Sequence, residues 1–173
     1  MAILRITHYP EPVLLAVGKP VLEDEFNEDL RKLVEDMFET MYAAHGVGLA
    51  APQVGVSQRL FVMDCSGGEN ASEKIALINP EIIYVEGEQN GDEGCLSFPG
   101  IYTKVKRDLR AVVRFQDVNG NFQELDGDDL TARCVLHETD HCDGIVFIDR
   151  MTALKRELAK RKIKKLQKTG KWE

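Results

Sequence analysis

Two histidines four residues apart, with a glutamate directly after the first, stand in the stretch HETDH at residues 137–141. Residues four apart on a helix lie on the same face, so His137 and His141 could hold one metal ion together. Glu138 would then be turned toward the open side of that ion, where a general acid or base acts. The alternative is an amphipathic helix whose histidines make ordinary hydrogen bonds, and the motif alone does not separate the two interpretations.

A catalytic metal site needs a third protein ligand and leaves one position for water. The metzincin continuation of the motif fails because Phe147 stands where a third histidine is required. A thermolysin-like site needs a downstream glutamate, and Glu157 lies among lysines and arginines with which it can pair. Both protease interpretations are therefore weakened.

The four cysteines differ in how well they could supply the third ligand. Cys134 lies about 10.5 Å along the helix axis from His141, too nearly in line with both histidines for a tetrahedron. Cys142 points about 100° away from His141 around the helix, and Cys65 ends a strand pattern typical of a core. Cys95 lies in GDEGCLSFPG, where glycines and a proline break the chain. A loop or strand end there can lay a thiolate and the next N–H against the helix, so Cys95 is the predicted third ligand.

The glycine-rich stretch HGVGLAAPQVG at residues 45–55 has three interpretations. A phosphate loop is disfavoured, because no lysine follows the glycines and their spacing is not GxxxxGK. Close approach of backbone to a ligand is favoured by the glycines, with the Gln53 amide as a donor. The plain alternative is a helix stop followed by a turn with Leu49, Ala50 and Ala51 as small core residues.

The composition predicts one globular domain spanning residues 1–173. Of these residues, 43% are hydrophobic and 29% are charged, which is typical of a soluble chain. The first twenty residues contain no long apolar run, so neither a secretory signal nor a membrane span is predicted, and the expected location is the cytoplasm or an organelle interior. The irregular cysteine spacing favours free thiols over disulfides.

Charge is unevenly distributed along the chain. Residues 154–173 hold nine Lys or Arg against two Glu, which gives this segment a net charge of +7. The whole chain has a net charge of −7, so the first 153 residues have a net charge of −14. This basic end could contact a polyanion, or it could be a solvated helix that keeps the protein soluble.

Three helices are predicted from apolar periodicity. The segment from Asp24 to His45 places seven apolar side chains on one face and stops at Gly46, which predicts a core helix. The HETDH motif lies on a second helix from about Asp128 to Cys142, with Gly144 just beyond its end. A third, basic helix runs from Thr152 to about Lys168, with a thin apolar edge of Leu154, Leu158, Ile163 and Leu166.

Five strands are predicted at residues 59–64, 75–78, 81–87, 109–116 and 121–126, the last two joined through DVNG as a hairpin. Short strands followed by a helix, without βαβ alternation, favour an α+β fold over a doubly wound sheet.

Three motifs in a fixed order carry a resemblance to a known family. GVGLAAPQ at 46–53, EGCLS at 93–97 and HETDH at 137–141 match in full the signatures GxGLAAxQ, EGCLS and HExxH of the peptide deformylase family. The segments YPEPVL and GIVFIDRM are also similar to the family. Two departures are Leu136, where glutamine is common, and Cys142, where leucine is usual.

The resemblance implies a metal-dependent hydrolase that removes the formyl group from the N-terminal formyl-methionine of new polypeptides, releasing formate. Carried over by position, Cys95, His137 and His141 would bind one divalent ion per chain. Water activated by that ion would attack the formyl carbon, with Glu138 as general acid and base. Gln53 and the Leu96 N–H would stabilise the oxyanion.

The resemblance also implies a fold and a cofactor. The expected fold has antiparallel β-sheets around the central metal-binding helix, with the core helix on its N-terminal side and the basic helix at the C-terminus. Fe²⁺ is the expected metal in the cell, with Zn²⁺, Ni²⁺ or Co²⁺ able to take its place.

The expected substrates are N-formylmethionyl peptides and nascent chains, with neither DNA nor a membrane as a partner. Val47, Leu130 and Cys134 are candidates for the recess that takes the methionine side chain, although Val47 and Leu130 could be plain core. Backbone of Gly46, Val47 and Gly48, and of Glu93 and Gly94, is expected to pair with the extended peptide. The basic C-terminal helix is a candidate for ribosome contact.

Two rivals share the same helix. A small metallopeptidase would cleave the peptide bond instead of releasing formate. A non-enzymatic domain with a structural metal is disfavoured by Glu138 and by the three protein ligands, because structural sites close the fourth position.

Overall fold

The computed structural model describes residues 2–172. Four α-helices lie in this range: α1 (Pro12–Leu15), α2 (Glu28–Ala43), α3 (Asp129–Cys142) and α4 (Ala153–Lys168). The strands are β1 (Gly48–Ala50), β2 (Leu60–Met63), β3 (Ile75–Glu86), β4 (Gln89–Gly94), β5 (Tyr102–Arg107), β6 (Arg110–Gln116) and β7 (Phe122–Asp128).

The strands form two antiparallel sheets. A five-stranded sheet has the order β1-β2-β3-β6-β7, and β4 and β5 form a separate two-stranded sheet. All pairings between neighbouring strands are antiparallel. The predicted α+β class with antiparallel sheets is therefore confirmed.

Helix α3 occupies the centre of this arrangement. It contacts β1, β2, β6 and β7, and its residues from Ala132 to Cys142 are buried except for Leu136. Cys134, Val135 and Cys142 pack with Phe61 of β2 in one core cluster. The predicted helix over residues 128–142 is confirmed, and burial on nearly all sides makes it a rigid support for the histidines.

Helix α2 begins later than its apolar pattern indicates. The side chain of Asn27 accepts a hydrogen bond from the Leu30 N–H at 3.1 Å and so caps the helix, while Glu23–Glu25 form a separate 3₁₀ turn. The predicted start at Asp24 is therefore wrong, but the core face is present. Its buried apolar members are Leu30, Val34, Met37, Phe38 and Met41.

The predicted apolar edge of the basic helix is only partly right. Helix α4 is capped by Thr152 and ends at Lys168, but Leu154 and Leu158 are 71% and 54% exposed. Ala159 and Ile163, four residues apart, form the buried stripe and pack in a cluster with Phe147. The small side chain of Ala159 lets the helix approach that cluster closely.

The predicted strands 75–78 and 81–87 are a single strand, β3, with an irregularity in its pairing with β6 between Ile78 and Glu81. Asn79 adopts a left-handed conformation (φ 52°), and its amide donates to Val21 O and to the side chain of Gln116. Asparagine tolerates this conformation, so the strand bends here without ending.

Strands β1, β4 and β5 were not among the predicted strands. Strand β4, QNGDEG, is rich in glycine and charge, which are poor local signals for a strand. Its extended conformation comes from its pairing with β5 and from the burial of Glu93. Strand β4 ends directly before Cys95, which is the strand-end alternative expected for that cysteine.

Among the helices of residues 2–172, none has the length and the apolar character that are needed to span a membrane.

Candidate metal centre

The three predicted ligands meet in space. One ligand atom from each of Cys95, His137 and His141 lies within 4.8 Å of those of the other two. Cys95 Sγ is 3.4 Å from His141 Nε2, and the two imidazole centroids are 5.0 Å apart. Helix α3 supplies both histidines, and the chain leaving β4 supplies the thiol. A thiolate with two imidazoles suits a divalent metal ion that is borderline between hard and soft, such as Zn²⁺.

His137 is oriented by a buried carboxylate. Glu93 Oε2 lies 2.6 Å from His137 Nδ1, and both side chains are almost fully buried. This contact directs the opposite ring nitrogen, Nε2, away from Glu93, toward the side of the ring on which Glu138 lies. Ligating histidines commonly receive this kind of support, because it fixes the ring and its tautomer.

Glu138 faces the cavity next to these groups. It is 5% exposed, its Oε2 is 3.9 Å from His137 Nε2, and its Oε1 has no hydrogen-bond partner in the described part of the chain. Burial raises the pKa of its carboxyl to about 7, against the opposing effect of His137. A carboxyl in this position can both accept and release a proton near neutral pH.

The Gln53 amide is held with its donor group toward Cys95. Its Oε1 accepts the Ala50 N–H at 2.9 Å, while its Nε2 lies 3.2 Å from Ser97 Oγ and 3.6 Å from Cys95 Sγ. The side chain is 1% exposed, so this orientation is set by buried contacts.

Gly48 allows a close approach of backbone to the site. A Cβ at Gly48 would lie 2.7 Å from both Cys134 Sγ and Glu138 Oε2, which is closer than real side chains approach. The interpretation of GVGLAAPQ as a segment of close approach is therefore supported at this position.

A cavity of about 520 Å³ adjoins most of these groups. Its wall contains every predicted site residue except His141, namely Gly46, Val47, Gly48, Gln53, Glu93, Gly94, Cys95, Leu96, Leu130, Cys134, His137 and Glu138. Val47 and Leu130 are 36% and 48% exposed, so the plain-core alternative is wrong for both. Cys134 is buried in the wall.

Comparison with known proteins decides the family. The sequence model of the family described as Polypeptide deformylase matches residues 3–157. The chain belongs to this family. The known function of the family is the metal-dependent removal of the formyl group, and its members are enzymes acting on formylated nascent peptides. The predicted deformylase function is confirmed, and the metallopeptidase and non-enzymatic rivals are excluded.

Individual relatives match the sequence over nearly the full length of the chain. A peptide deformylase of Acidobacterium capsulatum is 54% identical over 172 residues, which cover 99% of this chain and 100% of the relative. One of Thermodesulfovibrio yellowstonii is 50% identical, covering 95% and 98%. A crystal structure of a peptide deformylase from Legionella pneumophila superposes with a TM-score of 0.90 at 44% identity, with 98% of both chains covered.

A buried ionic network in this deformylase was missed by the sequence analysis. Arg107 donates from Nε and Nη2 to Glu93 at 3.1 and 2.7 Å, and from Nη1 to Asp140 at 2.7 Å. Arg133 donates to Glu93 at 2.9 Å, and Arg150 donates to Asp140 at 2.9 and 3.1 Å. In the sequence KVKRDLR, Arg107 has the appearance of an ordinary solvated charge, so no local signal identifies it.

The network holds Glu93 as an anion. Burial alone would raise the pKa of its carboxyl, but the hydrogen bonds from His137 and Arg107 outweigh burial and hold that pKa well below its usual range. Glu93 is therefore charged near neutral pH, which favours its contact with His137 Nδ1.

The departure at Cys142 is accommodated inside the core. Its side chain is fully buried, and burial raises the pKa of its thiol to about 12. Cys142 therefore behaves as a small apolar core residue at the C-terminal end of α3.

Proposed function

We propose that this deformylase carries out its reaction with Cys95, His137 and His141 as the metal ligands and Glu138 as the proton acceptor and donor. The observation that carries the proposal is the convergence of three ligand atoms within 4.8 Å beside an unpartnered, buried carboxylate oxygen. Three protein ligands leave room for solvent and substrate, as a catalytic site requires.

The proposed metal is one divalent ion per chain, Fe²⁺ in the cell, with Zn²⁺, Ni²⁺ or Co²⁺ as substitutes. Thiolate and imidazole ligands suit all four ions, and the family is metal-dependent. A bound divalent ion supplies Lewis acidity, which makes water nucleophilic near neutral pH.

The protein's own groups handle protons and developing charge. Glu138 takes the proton of the attacking water and later delivers it to the departing amine. Negative charge that grows on the formyl oxygen is stabilised by the Gln53 amide and the Leu96 N–H, both placed beside Cys95. The loss of one such donor typically lowers the rate by about 10²–10³.

The substrate lies in the cavity between two strand edges. Strand β1 is at the edge of the five-stranded sheet, and in the described residues β4 pairs with β5 alone. We propose that an extended formyl-peptide pairs with backbone at Gly46 to Gly48 and at Glu93 to Gly94. The methionine side chain would enter the recess formed by Val47, Leu130 and Cys134, all on the cavity wall.

The whole chain is proposed to act as one cytoplasmic catalytic domain that works beside the ribosome. Trp172 Nε1 donates to Tyr9 O at 2.8 Å, so the end of the chain packs against its beginning. The exposed cations of α4 are available to ribosomal RNA.

The test begins with anaerobic purification and metal analysis, followed by an assay on formyl-Met-Ala. Formate release with an intact peptide bond, in protein containing close to one divalent ion per chain, is the expected result. Cys95→Ser should lower both the metal content and the formate release. Full activity with metal removed would overturn the assignment of the ligands.

A further inference from the structure

Two thiols from distant parts of the chain meet behind the substrate cavity. Cys65 follows β2, and Cys134 lies on α3. Cys65 packs against the core cluster that contains Cys134. Thr131, one helical turn before Cys134, has its Oγ1 4.0 Å from Cys65 Sγ. Cys65 therefore lies beside the turn of α3 that carries Thr131 and Cys134.

The two thiols differ in exposure. Cys134 is 4% exposed, whereas Cys65 is half-buried and can be reached from solvent. The neighbouring Cys134 thiol lowers the pKa of the Cys65 thiol, while Cys65 and burial raise the pKa of the Cys134 thiol. Cys65 is therefore the better nucleophile, and Cys134 is placed to react with it next.

The Cys134 sulfur also supports the substrate-facing segment. Its Sγ donates to Val47 O at 3.7 Å and packs directly against Gly48. Val47, Gly48 and Cys134 all belong to the cavity wall. Any displacement of this sulfur therefore changes the wall on which the peptide is proposed to bind.

We propose that Cys65 and Cys134 form a reversible disulfide on exposure to hydrogen peroxide, and that this bond reshapes the methionine recess and weakens substrate binding. The effect on binding rests on the function proposed above, but formation of the bond does not. Neither thiol belongs to the proposed metal site, so the switch acts on the cavity wall and leaves the metal ligands in place.

The chemistry is balanced. The Cys65 thiolate attacks peroxide, forming an S–O bond and breaking the O–O bond, and hydroxide leaves. The Cys134 thiol then attacks the sulfenic sulfur, forming the S–S bond as the oxygen leaves as water with the thiol proton. The two thiols together lose two electrons to the peroxide, and excess small thiol reverses the reaction by disulfide exchange.

The bond must move the Cys134 sulfur. A disulfide joins sulfur atoms at about 2.05 Å, which is much shorter than the closest approach of two sulfur atoms without a covalent bond. Cys134 Sγ therefore moves toward Cys65 and away from Val47 O. We expect kcat/KM to fall about tenfold, mainly through a higher KM, because small misplacements in a site have effects of at least this size.

The experiment uses the Ni²⁺-loaded protein, because Fe²⁺ itself reacts with peroxide. Wild type and Cys65→Ser are treated with hydrogen peroxide, alkylated and digested with trypsin without reduction. The expected cross-link joins the peptide that begins at Leu60 to the peptide that begins at Cys134. Because Cys142 lies in that second peptide, fragmentation must assign the link to Cys134.

Activity is measured on the same samples before and after addition of dithiothreitol. Oxidised wild type should lose about tenfold in kcat/KM and regain it on reduction, while Cys65→Ser should match reduced wild type throughout. Three results would each overturn the proposal: both thiols alkylated after peroxide, a cross-link without change in kcat/KM, or an equal loss in Cys65→Ser. Formate release by the untreated protein tests the proposed function separately.

Discussion

Glu138 is the residue on which the proposed proton transfer depends. Its carboxylate is buried, lines the cavity and has an Oε1 without a partner in the described range, so a reacting molecule can use that oxygen. Glu138→Gln keeps the size of the side chain but removes the proton acceptor. We expect unchanged metal content and a loss of about 10²–10⁴ in formate release, the range typical of general acid–base catalysis.

The matched control for this prediction is Glu157→Gln, which neutralises an exposed glutamate on α4. It should leave both metal content and turnover at the wild-type level. Turnover that survives Glu138→Gln would assign the proton transfer to another group. A loss of metal in the same variant would make Glu138 a ligand instead.

The hydroxyl of Tyr42 is expected to make the stability of the folded protein depend on pH in the alkaline range. Its hydroxyl donates to Asp64 Oδ2, and burial together with that carboxylate raises the pKa of Tyr42 to about 12. The folded-state pKa thus lies above the unfolded value of about 10. The stabilising effect is complete below about pH 10 and is lost as the pH rises toward 12.

The check is a melting curve recorded across this range. Tyr42→Phe should melt at a lower temperature than wild type at neutral pH, and the difference should shrink as the pH rises through the window. Tyr102→Phe, at a side chain that is 72% exposed, should follow the wild-type profile. A constant gap between Tyr42→Phe and wild type up to pH 12 would contradict the assignment.

At the scale of elements, Arg107 joins β5 to both β4 and α3. It binds Glu93 through two nitrogens and Asp140 through a third, and its side chain is 5% exposed. Removing the guanidinium leaves two carboxylates buried without their main partner. Arg107→Met should therefore lower the free energy of unfolding by about 3–5 kcal/mol, as is typical when one partner of a buried ion pair is removed.

The chain offers a matched control for this prediction. Arg110 makes the same two-nitrogen contact with Asp126 at 2.9 and 2.8 Å, but the two side chains are 38% and 54% exposed. Arg110→Met should lower the free energy of unfolding by at most about 1 kcal/mol. Urea unfolding at equal metal loading measures both variants, and equal losses would show that burial does not set the difference.

The elements that the sequence predicts well are those whose signal is local. Helix α3 and the hairpin of β6 and β7 follow from periodicity, a glycine stop and a turn sequence, and each is present near the predicted residues. Strand β4 has no such signal, because its conformation is set by pairing with β5 and by burial of Glu93. Contacts between residues far apart in the chain produce no hydrophobic periodicity in the sequence of either segment.

The candidate site divides in the same way. Cys95 was predicted because glycines and a proline mark a bend that can bring a thiol to the helix. The support for His137 was not predicted, since Glu93 and Arg107 have the appearance of surface charges in a sequence that is 29% charged. Their burial becomes visible only when β4, β5 and α3 are packed together.

For the whole molecule, the basic charge and the packing of α4 decide how its proposed contact with the ribosome can be tested. Ala159 and Ile163 are buried against the body, so deletion of the helix would also damage the core. Ribosome contact is better tested by neutralising exposed cations. Lys160, Lys164 and Lys168 are four residues apart on α4, so they share one face, and all three are exposed.

We expect the triple change of these lysines to glutamine to weaken co-sedimentation with ribosomes and to reduce its salt dependence, since each phosphate contact adds to the salt slope. The control changes three exposed lysines of the body, Lys19, Lys32 and Lys104, which alters the net charge equally. Both variants should keep full formate release, because none of the six residues lines the cavity. An equal effect of the two variants would show that net charge alone, and not the face of α4, governs ribosome binding. Wild-type sedimentation of the α4 variant would show that this helix does not contact the ribosome.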